Sequence, residues 1–275
     1  MRKGVIFLVP VPIGNLRDIT LRAIDILSAV SLIACEDTRK TSFLLKHYQI
    51  PCPRLLSFHK FNERSREERL FAQLDLGADI AIVSDAGSPT ISDPAQGFVA
   101  KAIQRDYAVQ ALPGATALIP ALSISGFDTS AFQFVGFLPV QAKLRTQAIQ
   151  QIRNYPYPTL LYESVHHLKA TLTELAKALS PRRVAIVREI SKLHEECIRK
   201  EISDLVEHYE ITEKGEFVIV IEGCREQVQQ FDEAGALKLL KLHLDMSSKD
   251  LAAIISEQCH ISKNQAYAFV LEQRN

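Results

Sequence analysis

Residues 80–94 read Ile80-Ala81-Ile82-Val83-Ser84-Asp85-Ala86-Gly87-Ser88-Pro89-Thr90-Ile91-Ser92-Asp93-Pro94. The apolar run Ile80–Val83, cut off by a Ser/Asp/Gly/Pro cluster, has the form of a short buried strand ending in a tight turn. Asp93 then Pro94 reads as an N-cap followed by the first position of a helix, where a missing N–H does no harm. A strand, a glycine turn and a helix in that order make one βα unit.

Working outward, the same unit recurs. Val5–Val9 leads through a Pro/Gly turn to a helix at Leu21–Val30, and Leu32–Ala34 to one at Thr41–Tyr48. Leu55–Phe58 precedes the charged helix Glu63–Leu76, and Val109–Leu112 precedes Thr116–Ser125. Alternation of this kind predicts a largely parallel sheet. Further along, Phe132–Phe137, Thr159–Glu163, Val184–Arg188 and Phe217–Ile221 read as strands, with Cys197–Lys200 as an extra one. Leu144–Arg153, Leu168–Leu179 and Ile202–Tyr209 read as helices, and after Gly223 only three short amphipathic helices follow. The expected fold class is α/β: two α/β domains, at 1–117 and 118–226, with a cleft between them, and a small helical tail at 227–275.

Composition narrows the function. Lys+Arg and Asp+Glu both total 32 in 275 residues, so the formal net charge is zero. A domain that holds nucleic acid by bulk positive charge is thereby excluded, as is a polybasic membrane-surface protein. Five isolated cysteines without a CxxC pair argue against a disulfide framework or a zinc site and fit a reducing, cytoplasmic setting. Met1-Arg2-Lys3 with Val5–Val9 imitates a signal peptide, but the apolar run is short and is broken at Pro10 and Pro12. The uncharged stretch Tyr107–Phe127 is long enough to span a bilayer, yet Pro113, Gly114, Pro120 and Gly126 interrupt it, so a strand, a turn and a packed helix are expected and no membrane segment.

Ligands in parallel α/β sheets bind beyond the carboxyl ends of strands. Three such ends have unusual composition: Val11–Leu16, Ser84–Pro89 and Leu112–Ala117. Tight-turn chemistry alone would use the same Gly, Pro, Asp and Ser, but three of these turns along one sheet edge point to a ligand site. Polar runs Glu36–Lys40, Ser57–Glu63, Tyr162–Ser164 and Arg188–Glu196 end four more strands and suggest a polar cleft facing those turns. No G-x-G-x-x-G follows the first strand, and neither a P-loop nor a G-x-S-x-G elbow occurs. His166-His167, adjacent on one helix, diverge and do not share a metal; none is expected.

The segments PIGNLRDITLRAIDIL from Pro12, ACEDTRKT from Ala34, SFHKFNE from Ser57, SDAGSPTISDP from Ser84 and LPGATALIPALSISG from Leu112 resemble the tetrapyrrole methylase superfamily of S-adenosylmethionine-dependent methyltransferases. GFLP from Gly136, YES from Tyr162, VREISKLHEE from Val187 and GEFVIVIEG from Gly215 extend the resemblance over nearly the whole chain. Within the superfamily it is similar to the branch that methylates a cytidine ribose 2′-oxygen in 16S ribosomal RNA. Val11 stands where that branch usually has Thr, Val165 where it has Pro, and His167 where it has Arg; the segment after GFLP is poorer in Lys and Arg.

The resemblance implies S-adenosylmethionine in the interdomain cleft, held by Pro12, Asp85, Gly87, Ser88, Thr116, Ala117, Tyr162 and Glu163. A ribose hydroxyl is a poor nucleophile while protonated, so a base is wanted: Glu36, Asp37 or Glu195, with Lys192 acting electrostatically. Arg39, Lys40, Lys60, Lys143, Arg145 and Arg153 are candidates for RNA phosphates, and Phe58, His59, Phe61 and His167 for bases. The implied partner is 16S rRNA or the small ribosomal subunit, and the superfamily implies a homodimer. A corrin methylase and a non-catalytic ribosome-assembly factor are the alternatives. With no net charge, RNA binding calls for segregation, with Lys and Arg around the cleft mouth and acids elsewhere.

Overall fold

The computed structural model describes all residues but positions 1, 52, 60–61, 92–94, 209–211, 213, 225–232, 244–245, 260–262 and 275. The first half alternates β1 (Val5–Leu8), α1 (Leu21–Ala29), β2 (Leu32–Cys35), α2 (Thr38–His47), β3 (Arg54–Ser57), α3 (Glu63–Asp75), β4 (Ile80–Val83), α4 (Gln96–Gln104), β5 (Ala108–Ala111) and α5 (Leu118–Ser125). The helix start expected at Asp93-Pro94 lies outside the described residues, and described α4 opens at Gln96. Tyr107–Phe127 is β5, a turn and α5, and no described helix is long and apolar enough to cross a membrane.

Every pairing in the first sheet is parallel, in the order β3-β2-β4-β1-β5. β2 and β4 are buried at all four positions, as strands covered on both faces must be. One face is filled by Leu70, Leu74 and Phe98 from α3 and α4, the other by Ala23, Leu27 and Leu45 from α1 and α2. Phe58 belongs to the first of these cores. It is 3% exposed and meets Phe98 edge-on at 5.6 Å, which corrects the expectation that it stacks on a base.

The second half contains β6 (Gln133–Phe137), α6 (Ala142–Asn154), β7 (Thr159–Ser164), α7 (Leu168–Leu179), β8 (Arg183–Arg188), β9 (Glu196–Glu201), α8 (Ile202–His208) and β10 (Glu216–Ile221). Its sheet runs β6-β7-β10-β8-β9. Only β6 and β7 are parallel; β10 lies antiparallel between β7 and β8, and β9 antiparallel to β8. The largely parallel expectation, drawn from the first five βα units, holds for the first sheet, and the second is mixed. Residues 189–195 are too few for the crossover a parallel neighbour needs, so β9 has to reverse. Ala121 and Leu122 of α5 pack on one face of this sheet, and Leu172 and Leu175 of α7 on the other.

Residues Met1–Gly223 form one compact unit and Cys224–Asn275 a second. The latter holds α9 (Glu233–Leu242), α10 (Ser248–Gln258) and α11 (Lys263–Arg274), joined by its own core of Leu240, Leu251, Ile255, Phe269 and Val270.

Truncating a buried aromatic leaves a cavity worth about 3–5 kcal/mol. Phe58→Ala is accordingly expected to lower the unfolding free energy by that much, seen as a lower urea midpoint at unchanged m, while a folded fraction keeps its ligand affinity. An unchanged midpoint would place Phe58 outside the core.

Candidate active site

The carboxyl ends of β1 and β4, neighbours at the centre of the parallel sheet, open into two of the three glycine turns. These turns are joined by main chain: Val11 N–H donates to the Gly87 carbonyl at 3.0 Å, and Gly87 N–H donates back to Val11 at 2.9 Å. Gly87 achieves this at φ 76°, a conformation that side chains oppose. The contact is entirely backbone, so Val11 in place of Thr leaves it unaltered. Ser88 Oγ donates to the Ala115 carbonyl at 3.1 Å, tying in the third turn. Gly114 lets that turn pass Pro10, where an added Cβ would come within 2.6 Å of the ring.

The expectation of one ligand edge can now be checked residue by residue. Asp85, Gly87, Ser88, Thr116 and Ala117 line a single cavity of about 450 Å³ together with Tyr162 and Glu163 from the end of β7. Ile13, Phe137, Ile190 and Phe217 give it apolar walls. Tyr162 is braced edge-on by Phe134 at 4.9 Å. Pro12 is the exception: it lines a second cavity of about 660 Å³, which also takes in Arg39, Lys40, Phe43 and Lys192. The two cavities share Ile13, Asp85, Ala86 and Glu216.

Asp85 stands at that boundary. One carboxylate oxygen accepts the Asp37 N–H at 3.0 Å and the other meets Lys40 Nζ at 2.7 Å, a contact that raises the Lys40 pKa. Asp37 caps α2 by accepting the Arg39 N–H, and is gripped by the Arg39 guanidinium at 2.7 Å. The side-chain bond to Arg39 holds its carboxyl well below the usual carboxylate range. Asp37 thus serves here as the N-cap of α2 and as the partner of Arg39. Glu36 does line the first cavity.

Lys192 approaches from the β8–β9 loop. Its Nζ lies 2.8 Å from both Glu189 and Glu216, and its methylenes occupy the space over Gly14, where a Cβ would fall within 2.4 Å. The loop is tightly wound, with Glu189 at φ 52° and Ser191 at φ 67°. Ser191 Oγ donates to Asp18, bringing the first-half turn and this loop together again. Burial opposes charge on both Lys192 and Glu189, but their mutual hydrogen bond prevails, leaving Lys192 above and Glu189 below its ordinary value.

Several expected residues lie elsewhere. Glu195 lines neither cavity; its carboxylate accepts the Ser191 N–H at 2.6 Å and stabilises the loop. Arg145 is turned inward onto Glu174 and Thr171, at 2.5 and 2.7 Å, which corrects its expected grip on phosphate. His59 lies beside Asn62, and Lys143, Arg153 and His167 line neither cavity. Lys60 and Phe61 lie outside the described residues. The simple charge segregation also fails: Arg39, Lys40 and Lys192 at the mouth each carry an acidic partner. Those partners fix cations that would otherwise swing freely. Among the described residues no three His, Cys, Asp or Glu side chains form a group able to hold a metal.

Sequence reasoning missed Glu216 and Phe43. Glu216 begins β10, and a strand start was not expected at an edge built from strand ends. Antiparallel pairing places it opposite Ser164. Phe43, 66% exposed one turn after Arg39, passed as helix surface.

Two α/β sheets, with glycine turns from the first and the end of β7 from the second converging on one cavity, make up the body of the chain. The chain belongs to the tetrapyrrole (corrin/porphyrin) methylases, whose family model matches residues 5–206. Among its relatives is ribosomal RNA small subunit methyltransferase I of Synechocystis sp., 41% identical over 278 residues, covering 98% of each chain. The enzyme of that name from Escherichia coli O157:H7 is 38% identical over 276 residues, 99% of this chain and 96% of the relative. That of Halalkalibacterium halodurans is 44% identical over 82% of this chain and 78% of its own. Among solved structures, diphthine synthase shares the fold at TM-score 0.62 and 11% identity, covering 80% of this chain and 90% of that one. Uroporphyrin-III C-methyltransferase from Thermus thermophilus, complexed with S-adenyl homocysteine, does so at TM-score 0.55 and 15% identity, covering 79% and 92%.

The Lys192–Glu189 pair has a defined pH signature. The lowered folded pKa of Glu189 contributes stability that is present above its unfolded value and lost as pH falls through the folded one. The raised Lys192 pKa contributes stability that is present below about 10.4 and lost at higher pH. The difference in thermal midpoint between wild type and Lys192→Met is expected to stay level from about pH 5 to 9 and to shrink below about pH 4. A difference that grows on acidification would contradict the pairing.

Proposed function

We propose that this protein is an S-adenosylmethionine-dependent methyltransferase acting on ribosomal RNA of the small subunit, with a cytidine ribose 2′-oxygen in 16S rRNA as acceptor. The observation that carries the reading is the joint cavity of Asp85, Gly87, Ser88, Thr116, Ala117, Tyr162 and Glu163, in a chain that aligns over nearly its whole length with relatives named ribosomal RNA small subunit methyltransferase I.

The residues fit the cofactor. Apolar walls at Ile13, Phe137 and Ile190 suit a nucleoside, main-chain groups of the glycine turns suit its hydroxyls, and the Asp85 and Glu163 carboxylates suit its cationic and N–H groups. S-adenosylmethionine supplies a sulfonium methyl already activated for in-line displacement. In this proposal the chain's own part is positioning and proton handling.

The adjoining 660 Å³ cavity takes the acceptor nucleotide. Phe43 offers an exposed aromatic face for a base, with Arg39 and Lys40 beside it for the flanking phosphates. Lys192, kept protonated by two carboxylates, acts as a fixed cation that stabilises charge developing on the ribose oxygen, and not as a base. Of the expected bases Glu36, Asp37 and Glu195, Glu36 lines the neighbouring cofactor cavity and is our candidate for accepting the proton.

Incubating the protein with methyl-labelled S-adenosylmethionine and small ribosomal subunits is expected to yield 2′-O-methylcytidine in 16S rRNA. Label on a base, or none on rRNA, would overturn the proposal. Asp85→Ala is expected to weaken cofactor binding by about tenfold or more in calorimetric titration. Unchanged affinity would remove Asp85 from the cofactor site.

A further inference from the structure

Glu163 lines the cofactor cavity, is only 7% exposed, and has no ion-pair partner among the described residues. Burial of such a group is costly unless hydrogen bonds satisfy it. Two do so here: the Ser164 N–H donates to Oε1 at 2.7 Å, and the Thr171 hydroxyl donates to Oε2 at 2.5 Å. Thr171, fully buried on α7, in turn accepts from Arg145 Nη2 at 2.7 Å, while Arg145 Nε is held by Glu174 at 2.5 Å.

The polarity of this chain is fixed. A guanidinium only donates and a carboxylate only accepts, so the hydroxyl between them has one orientation open to it. Its proton must point at Glu163. Arg145 therefore acts on Glu163 from a distance, polarising the hydroxyl and locking the carboxylate's rotamer. With one hydrogen bond to each oxygen from the protein side, the carboxylate keeps lone pairs that a donor or a cation of the ligand could satisfy.

We propose that Arg145 and Thr171 are positioning residues for cofactor binding, aiming the Glu163 carboxylate at a donor or cationic group of S-adenosylmethionine. The inference rests on the cofactor reading above and adds to it a line of residues running from α6 through α7 to the end of β7. Lys143, two positions earlier on α6, is exposed and serves as a control on the same helix.

Calorimetric titration with S-adenosylmethionine tests this without turnover. Thr171→Val, close in volume, is expected to raise Kd about tenfold, with Thr171→Ser returning it to near wild type. Arg145→Gln is expected to raise Kd by a smaller factor, and Lys143→Gln to leave it unchanged. In a double-mutant cycle, Thr171→Val should add little once Glu163 is Gln, because both changes abolish one interaction. General loosening of the fold would not produce that coupling or the serine rescue. Additive effects, or wild-type affinity in both Thr171→Val and Arg145→Gln, would overturn the relay while leaving the cofactor reading in place. A wild-type protein that binds no S-adenosylmethionine would overturn both.

Discussion

The pair of main-chain hydrogen bonds between Val11 and Gly87 is the constraint on which the remainder of the site depends. β1 and β4 are adjacent in the sheet although widely separated in the chain, and their carboxyl ends would otherwise lead into two independent loops. Joined, these loops form a rigid floor. Ser88 then reaches Ala115 to bring in the third turn, and Asp85 is set where it can engage both α2 and the cavity. A residue other than glycine at position 87 would have to adopt a left-handed conformation to preserve the arrangement.

The second half completes the site from the other side. Lys192 lies over Gly14 with its charge divided between Glu189 and Glu216, so the two halves meet through a cation whose position is set by acids of the second sheet. The same pairing explains how a protein without net charge can present cations to RNA. At the cleft mouth Arg39, Lys40 and Lys192 are matched locally by Asp37, Asp85 and Glu189, so orientation, not an excess of positive charge, distinguishes this surface. On the proposed function, binding then rests on shape, stacking and a few fixed contacts and not on bulk charge.

Much of the first half was legible in the chain. Apolar runs mark the strands of the parallel sheet, most plainly β2 and β4, which are buried at all four positions and have no polar alternation to obscure them. The three turns stood out by their Gly, Pro and Ser content, and residues of each line one cavity. The second sheet was less legible, since a run such as Phe217–Ile221 is equally apolar in either direction, and the shortness of residues 189–195 betrays the reversal of β9 but not that of β10. That is why Glu216, at a strand start, escaped notice. Arg145 was expected on RNA phosphate and Glu195 as a base because nothing local reveals that Thr171 or the Ser191 N–H awaits them. Phe58 is one residue beyond β3, and its side chain points into the core where a loop position suggested exposure.

Backbone hydrogen–deuterium exchange with and without S-adenosylmethionine is the most direct test of a cofactor cavity assembled from both halves. Exchange is expected to slow together in residues 11–16, 84–90 and 112–117 of the first half and in 162–165 and 189–192 of the second. Protection confined to one half, or found away from these segments, would contradict the account.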